Sequence, residues 1–164
     1  MTVPKLFAAT FLSLTLFAPG FPASAGEPNT AYGALGYSSW TLGNWHPTAW
    51  SFRGGYYFTP WLAGEMQFLS RGGEDSGRLV DSGVAAFLRA EFPLSQSFRV
   101  SVLAGYAYTD VIFPPGVKGT YDHSAYGLGV EWGLGRHSTL ATDYISYNGD
   151  SRASSLTAVL KFPF

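Results

Sequence analysis

Residues 125–134 read Ala125-Tyr126-Gly127-Leu128-Gly129-Val130-Glu131-Trp132-Gly133-Leu134. On an extended chain Tyr126, Leu128, Val130, Trp132 and Leu134 share one face, and Ala125, Gly127, Gly129, Glu131 and Gly133 share the other. Successive side chains of a strand point to opposite sides, so the stretch predicts a strand with one bulky apolar face and one small face bearing a single charge.

The same period of two recurs along the chain. Phe98, Val100, Val102, Ala104, Tyr106 and Tyr108 oppose Arg99, Ser101, Leu103, Gly105, Ala107 and Thr109. Leu156, Ala158, Leu160, Phe162 and Phe164 oppose Thr157, Val159, Lys161 and Pro163, while Trp50, Phe52, Tyr56 and Phe58 oppose Ser51, Arg53, Gly55 and Tyr57. Turn-forming residues divide residues 26–164 into eight such stretches: 30–41, 48–58, 61–70, 82–93, 97–109, 121–134, 138–147 and 153–164. Gly33, Ala34 and Gly36 blur the faces of the first. Connections at 59–60, 94–96 and 135–137 are tight, whereas 42–47, 71–81, 110–120 and 148–152 are longer and carry Gly, Pro, Asn or charge, as exposed loops do. Short turns at one end and long loops at the other are the habit of barrels in the outer membrane, with the short turns periplasmic. The predicted fold is all-β: an eight-stranded antiparallel up-and-down transmembrane β-barrel.

The composition of the two faces decides which one points inward. A soluble barrel would bury the bulky set and show water the other, but a coat of Gly, Ala, Ser and Thr suits a narrow lumen better. Closure satisfies every strand's backbone groups, which an open sheet in hydrocarbon cannot do. Eight charges fall within the strands: Arg53, Glu65, Arg89, Glu91, Arg99, Glu131, Asp143 and Lys161. All lie on the small-residue face, four of each sign. An Arg or Lys facing lipid at mid-bilayer would cost about 2–4 kcal/mol. Buried charges are tolerated when partnered, so these eight are expected to form a paired plug, with Glu91 directly across from Arg99 and Arg53 close to opposite Glu65. Two aromatic girdles are expected at the headgroup levels. Tyr56, Phe58, Trp61, Phe92, Phe98, Phe162 and Phe164 fall near one end or the other of their strands, and Trp40, Trp50, Tyr106, Tyr108, Tyr121 and Tyr144 lie mostly toward the long-loop end.

The N-terminus fits export. Lys5 is the only charge before Glu27, residues 6–18 are mostly apolar, and Ala23-Ser24-Ala25 offers a small-x-small cleavage site, so the mature chain is expected to begin at Gly26. That run is too short to span roughly 30 Å of hydrocarbon. From Gly26 onward nine basic residues face eleven acidic ones, which excludes the basic footprint of a nucleic-acid binder. The chain has no cysteine, so neither disulfides nor cysteine metal sites exist.

The sequence resembles the small outer-membrane β-barrel superfamily of Gram-negative bacteria, the porin-family or opacity-type surface proteins and OmpA/OmpX-type eight-stranded barrels. The resemblance is carried by Ala125–Trp132 as quoted, by Leu140-Ala141-Thr142-Asp143-Tyr144-Ile145-Ser146-Tyr147, by Gly55-Tyr56-Tyr57-Phe58-Thr59-Pro60-Trp61-Leu62-Ala63-Gly64-Glu65, and by a final strand ending on aromatic Phe164. It covers residues 30–164. It implies a home among outer-membrane lipids and lipopolysaccharide, delivery by periplasmic chaperones, and recognition of Phe162 and Phe164 by the barrel-assembly machinery. Pro163 departs from the pattern and removes one donor from the last strand.

Catalytic chemistry finds little support. A lipid A deacylase needs Ser, His and an acid on one face. His123 and Ser124 are adjacent and therefore point to opposite faces; His46 lies in a loop and His137 in a periplasmic turn. Three scattered histidines offer no metal-ligand spacing, and no cofactor motif sits in its required context. Binding is expected in the long loops, with Trp45, His46, Arg71, Arg78, Phe113 and Lys118 as candidates for an extracellular ligand. The reading from sequence is thus a structural or surface-binding barrel with its lumen closed by charge pairs; a narrow porin-like channel and a lipid A-modifying enzyme stay open as alternatives.

Overall fold

The computed structural model describes residues 28–135, 137–148 and 153–164. The export signal expected over residues 1–25 lies outside them. Eight strands follow in order: β1 Ala31–Leu42, β2 Thr48–Thr59, β3 Leu62–Arg71, β4 Leu79–Pro93, β5 Phe98–Phe113, β6 Val117–Gly133, β7 Thr139–Asn148 and β8 Ala153–Pro163. Each pairs antiparallel with its sequence neighbour, and β1 pairs with β8 from Tyr32↔Pro163 to Leu42↔Ala153, closing the barrel. No strand edge is left for hydrocarbon to meet.

The faces divide as their residue types require. Leu35, Trp50, Phe52, Met66, Phe68, Leu88, Val102, Leu128 and Leu156 lie on the outer surface, each between two-fifths and two-thirds exposed. A continuous apolar band of this kind is covered by lipid rather than water. The interior holds Arg89, Glu91, Gln67, Asp143, Thr157, Leu103 and Ile145, nearly or fully buried. Small residues make room for large ones there. A Cβ on Gly55 would lie 2.1 Å from the Tyr32 ring, and one on Gly129 would lie 1.9 Å from Asp143 Oδ1. The glycines that thin one side of a strand therefore seat the side chains of its neighbours.

Three strands run further than expected. β4 begins at Leu79, β5 continues to Phe113 and β6 starts at Val117, so residues 110–120 form a strand hairpin with only 114–116 between strands, instead of a long loop. At about 3.3 Å per residue and a tilt near 40°, sixteen residues of β5 rise about 40 Å, whereas ten residues of β7 rise about 25 Å, the height of the apolar band. The β4–β5–β6 ends consequently stand above the membrane. Outward-facing Asp122, which accepts a hydrogen bond from Tyr106 at 2.7 Å, marks where hydrocarbon has ended. A bulge between Val80 and Ser82 reverses the parity of β4, which keeps Val80 inside together with Ala85 and Phe87.

Candidate functional site

The lumen is built in two layers. In the half nearer the short turns, all eight strand charges are buried. Arg89 on β4 sits at the centre: its guanidinium lies 3.3 Å from Glu65, 3.1 Å from Glu131 and 2.7 Å from Asp143, and donates to Ser101 at 2.9 Å. Arg53 on β2 pairs with Glu65 at 3.3 Å and also with Asp143. Lys161 on β8 bridges Glu131 at 2.8 Å and Glu91 at 3.0 Å, and Arg99 holds the other Glu91 oxygen at 2.8 Å. Tyr32 donates to Glu65 at 2.6 Å and Tyr57 to Glu91 at 2.8 Å, so the carboxylates have neutral donors as well. One connected network thus joins β2, β3, β4, β5, β6, β7 and β8 across the barrel. Its charges balance, and each anion has at least one cation, the arrangement that low dielectric demands.

One pairing differs from the sequence expectation in its route: Glu91 stands opposite Ser101, not Arg99, while Arg53 stands opposite Gln67, two residues from Glu65. Both contacts are diagonal, two residues off register, a reach that long side chains manage.

Above the charges lies a second layer that the sequence reading missed. Trp40 and Tyr121, expected in the outer girdle, point inward. Trp40 is buried and stacks on Tyr147 with centroids 4.7 Å apart; His123 meets Tyr147 edge-on at 6.1 Å; Tyr121 stacks on His123 at 5.8 Å and Phe113 meets Tyr121 at 6.2 Å. This aromatic ladder climbs from the core to the β5–β6 hairpin. The signal was parity: Trp40 lies on the Tyr32–Ala34–Ser38 side of β1. Of the other expected girdle residues, Trp50, Tyr56, Phe58, Trp61, Phe92, Tyr106, Tyr108 and Tyr144 are exposed on the outside, and Phe98 is half-buried. Phe162 and Phe164 are exposed too, and Phe164 donates its backbone N–H to Ala31.

The six candidate loop residues converge at the long-loop end. Asp75-Ser76-Gly77-Arg78 closes a tight hairpin, with Ser76 and Gly77 at φ 53° and 76°, and delivers Arg78 over the Trp45 ring, 3.0 Å from its centroid, with Phe113 at 5.1 Å. The His46 backbone N–H donates to Asp75 at 2.7 Å, tying the two loops together. Arg71, Phe113 and Lys118 belong to strand ends instead of loops. Arg71 pairs with Asp81, and Lys118 reaches the same carboxylate at 2.6 Å. The hydrogen bonds from Lys118 and Arg71 hold the Asp81 carboxyl below its usual range, and those from His46 and Ser76 do the same for Asp75.

Residues 8–162 match the family model described as the outer membrane protein beta-barrel domain. The chain belongs to that family. As a member, it is an outer membrane protein. Its fold is similar to Ail, the attachment invasion locus protein of Yersinia pestis, at 14% identity over 84% of this chain and 99% of that one, with a TM-score of 0.61. The N-terminal barrel of Pseudomonas aeruginosa OprF is 12% identical over 84% and 98%, with a TM-score of 0.63, and Neisserial surface protein A is 13% identical over 82% and 96%, at 0.54. No curated protein sequence matches the chain. His123 and Ser124 face opposite sides: His123 is buried in the lumen, and exposed Ser124 donates to the Asn148 carbonyl at 3.3 Å.

Proposed function

We propose that this outer membrane barrel is a non-enzymatic surface protein whose lumen is closed and whose working surface is its extracellular end. The observation that carries the reading is the balanced, fully buried charge network around Arg89, which fills the periplasmic half of the lumen. A pathway for ions needs water-lined space, and these side chains occupy that cross-section in contact with one another. The deacylase alternative loses its geometry with His123 and Ser124 on opposite faces.

The extracellular end, by contrast, gathers Trp45, Arg78, Phe113 and Lys118 on a rigid scaffold, the setting in which loop residues bind. One of the similar folds, Ail, was solved in complex with the heparin analogue sucrose octasulfate, which supports an extracellular ligand for barrels of this build. The test compares a deletion strain complemented with the native chain or with a chain whose residues 43–47 and 72–78 are replaced by Gly-Ser sequence. Adhesion to surfaces and the lipid A mass spectrum are read in each. The proposal expects the loop-replaced strain to behave like the deletion in adhesion, with lipid A identical throughout. Native-like adhesion from the loop-replaced chain, or a lipid A mass that depends on the protein, would overturn it.

A further inference from the structure

The aromatic ladder does not fill the upper lumen. A cavity of about 230 Å³ remains there, lined by Trp40, Trp45, Arg78, Thr109, Phe113 and Tyr121 among others. An apolar cavity of about 150 Å³ accommodates benzene, so this one holds a single ring with a short polar substituent. The polar side chains among its lining residues are Arg78, the Trp40 and Trp45 indoles, the Thr109 and Tyr121 hydroxyls and the His123 imidazole. Arg78 lies at the rim with its guanidinium face on Trp45, which leaves its N–H edges available, and it enters no ion pair among the described residues. No lining residue carries a carboxylate. The Arg78 guanidinium, with no carboxylate in the lining and set among the Trp45, Phe113 and Tyr121 rings, complements an anion on a planar apolar body.

We propose that this cup binds a small aromatic carboxylate, its ring between the Trp40, Phe113 and Tyr121 side chains and its carboxylate on Arg78. The proposal rests on reading the extracellular end as the working surface, and names the ligand class for it. The purified full chain, refolded in detergent, is titrated calorimetrically with phenylacetate and with neutral benzyl alcohol. A saturable one-to-one isotherm for phenylacetate is expected, tighter than benzyl alcohol by tenfold or more. Arg78→Gln, in a surface hairpin and checked for folding by its heat-shifted gel mobility, should bring phenylacetate down to the benzyl alcohol level. A tripeptide ending in phenylalanine presents the same ring and carboxylate. Tighter binding of the peptide assigns the site to a chain terminus, and equal or weaker binding assigns it to the free acid. No saturable phenylacetate binding, equal affinity for the alcohol, or an unchanged affinity in Arg78→Gln would overturn the proposal. Ion conductance of the same preparation is read separately, so an open lumen that still binds phenylacetate would sink the closed-barrel reading and leave the cup standing.

Discussion

Replacing Arg89 by Met removes the hub of the lumenal network while keeping most of its packing volume. The native guanidinium touches Glu65, Glu131 and Asp143 at 2.7–3.3 Å. After the change Glu65 and Asp143 still have Arg53, and Glu131 still has Lys161, but four anions share three cations. Breaking a buried ion pair from one side costs about 3–5 kcal/mol; because every carboxylate retains a partner, the lower end of that range applies. Adding Asp143→Asn restores the balance at three and three. The double variant should therefore recover about 1–3 kcal/mol relative to the sum of the single changes, the size of coupling found within one network. Equilibrium unfolding by urea in detergent micelles or lipid vesicles, followed by tryptophan fluorescence and heat-shifted gel mobility, measures both quantities. If Arg89→Met unfolds at the native midpoint, or if the two substitutions simply add, the charges are not one network and the reasoning fails.

Gly129→Ala should destabilise by about 1–3 kcal/mol in the same assay, because the added Cβ meets an Asp143 carboxylate that Arg53 and Arg89 hold in place. Leu128→Arg, on the outer face, should cost about 2–4 kcal/mol in vesicles if that face meets lipid; an unchanged midpoint would put water there instead. Acid should break the Asp81 contacts on the extracellular surface. Asp81 titrates below its unfolded value of about 4, so its contacts with Lys118 and Arg71 contribute fully above that pH and are lost as pH falls through the depressed folded value. The ion-pair signature of Lys118 in NMR should persist from neutral pH to about 4 and disappear below it, and loss already near pH 6 would contradict the assignment.

Much of this was legible because a strand's period of two is rigid. With residues 97–109 and 121–134 as strands, the faces of Arg99 and Glu131 follow without any knowledge of contacts. The height of the barrel was not legible. Pro114-Pro115-Gly116 and the polar residues around it have the composition of a loop, and alternation does not reveal whether a strand is inside the membrane or above it. Trp40 was misplaced for a related reason: an indole suits a headgroup girdle and a packed lumen equally well, and the small residues of β1 hid the parity that distinguishes them. The Glu91–Arg99 contact was found through the wrong geometry, since the turn between β4 and β5 pairs Pro93 with Arg99 and leaves the two charges diagonal. The convergence of Trp45, Arg78 and Phe113 depends on two loops and the end of β5 at once, which no local pattern encodes.

The closed lumen is tested most directly by single-channel recording in planar bilayers with the purified, refolded monomer. The network around Arg89 predicts a silent baseline under applied voltage, with no steady unit conductance. Stable open currents of uniform size, present without any substitution in the lumen, would show that water and ions pass the charges and would contradict the account.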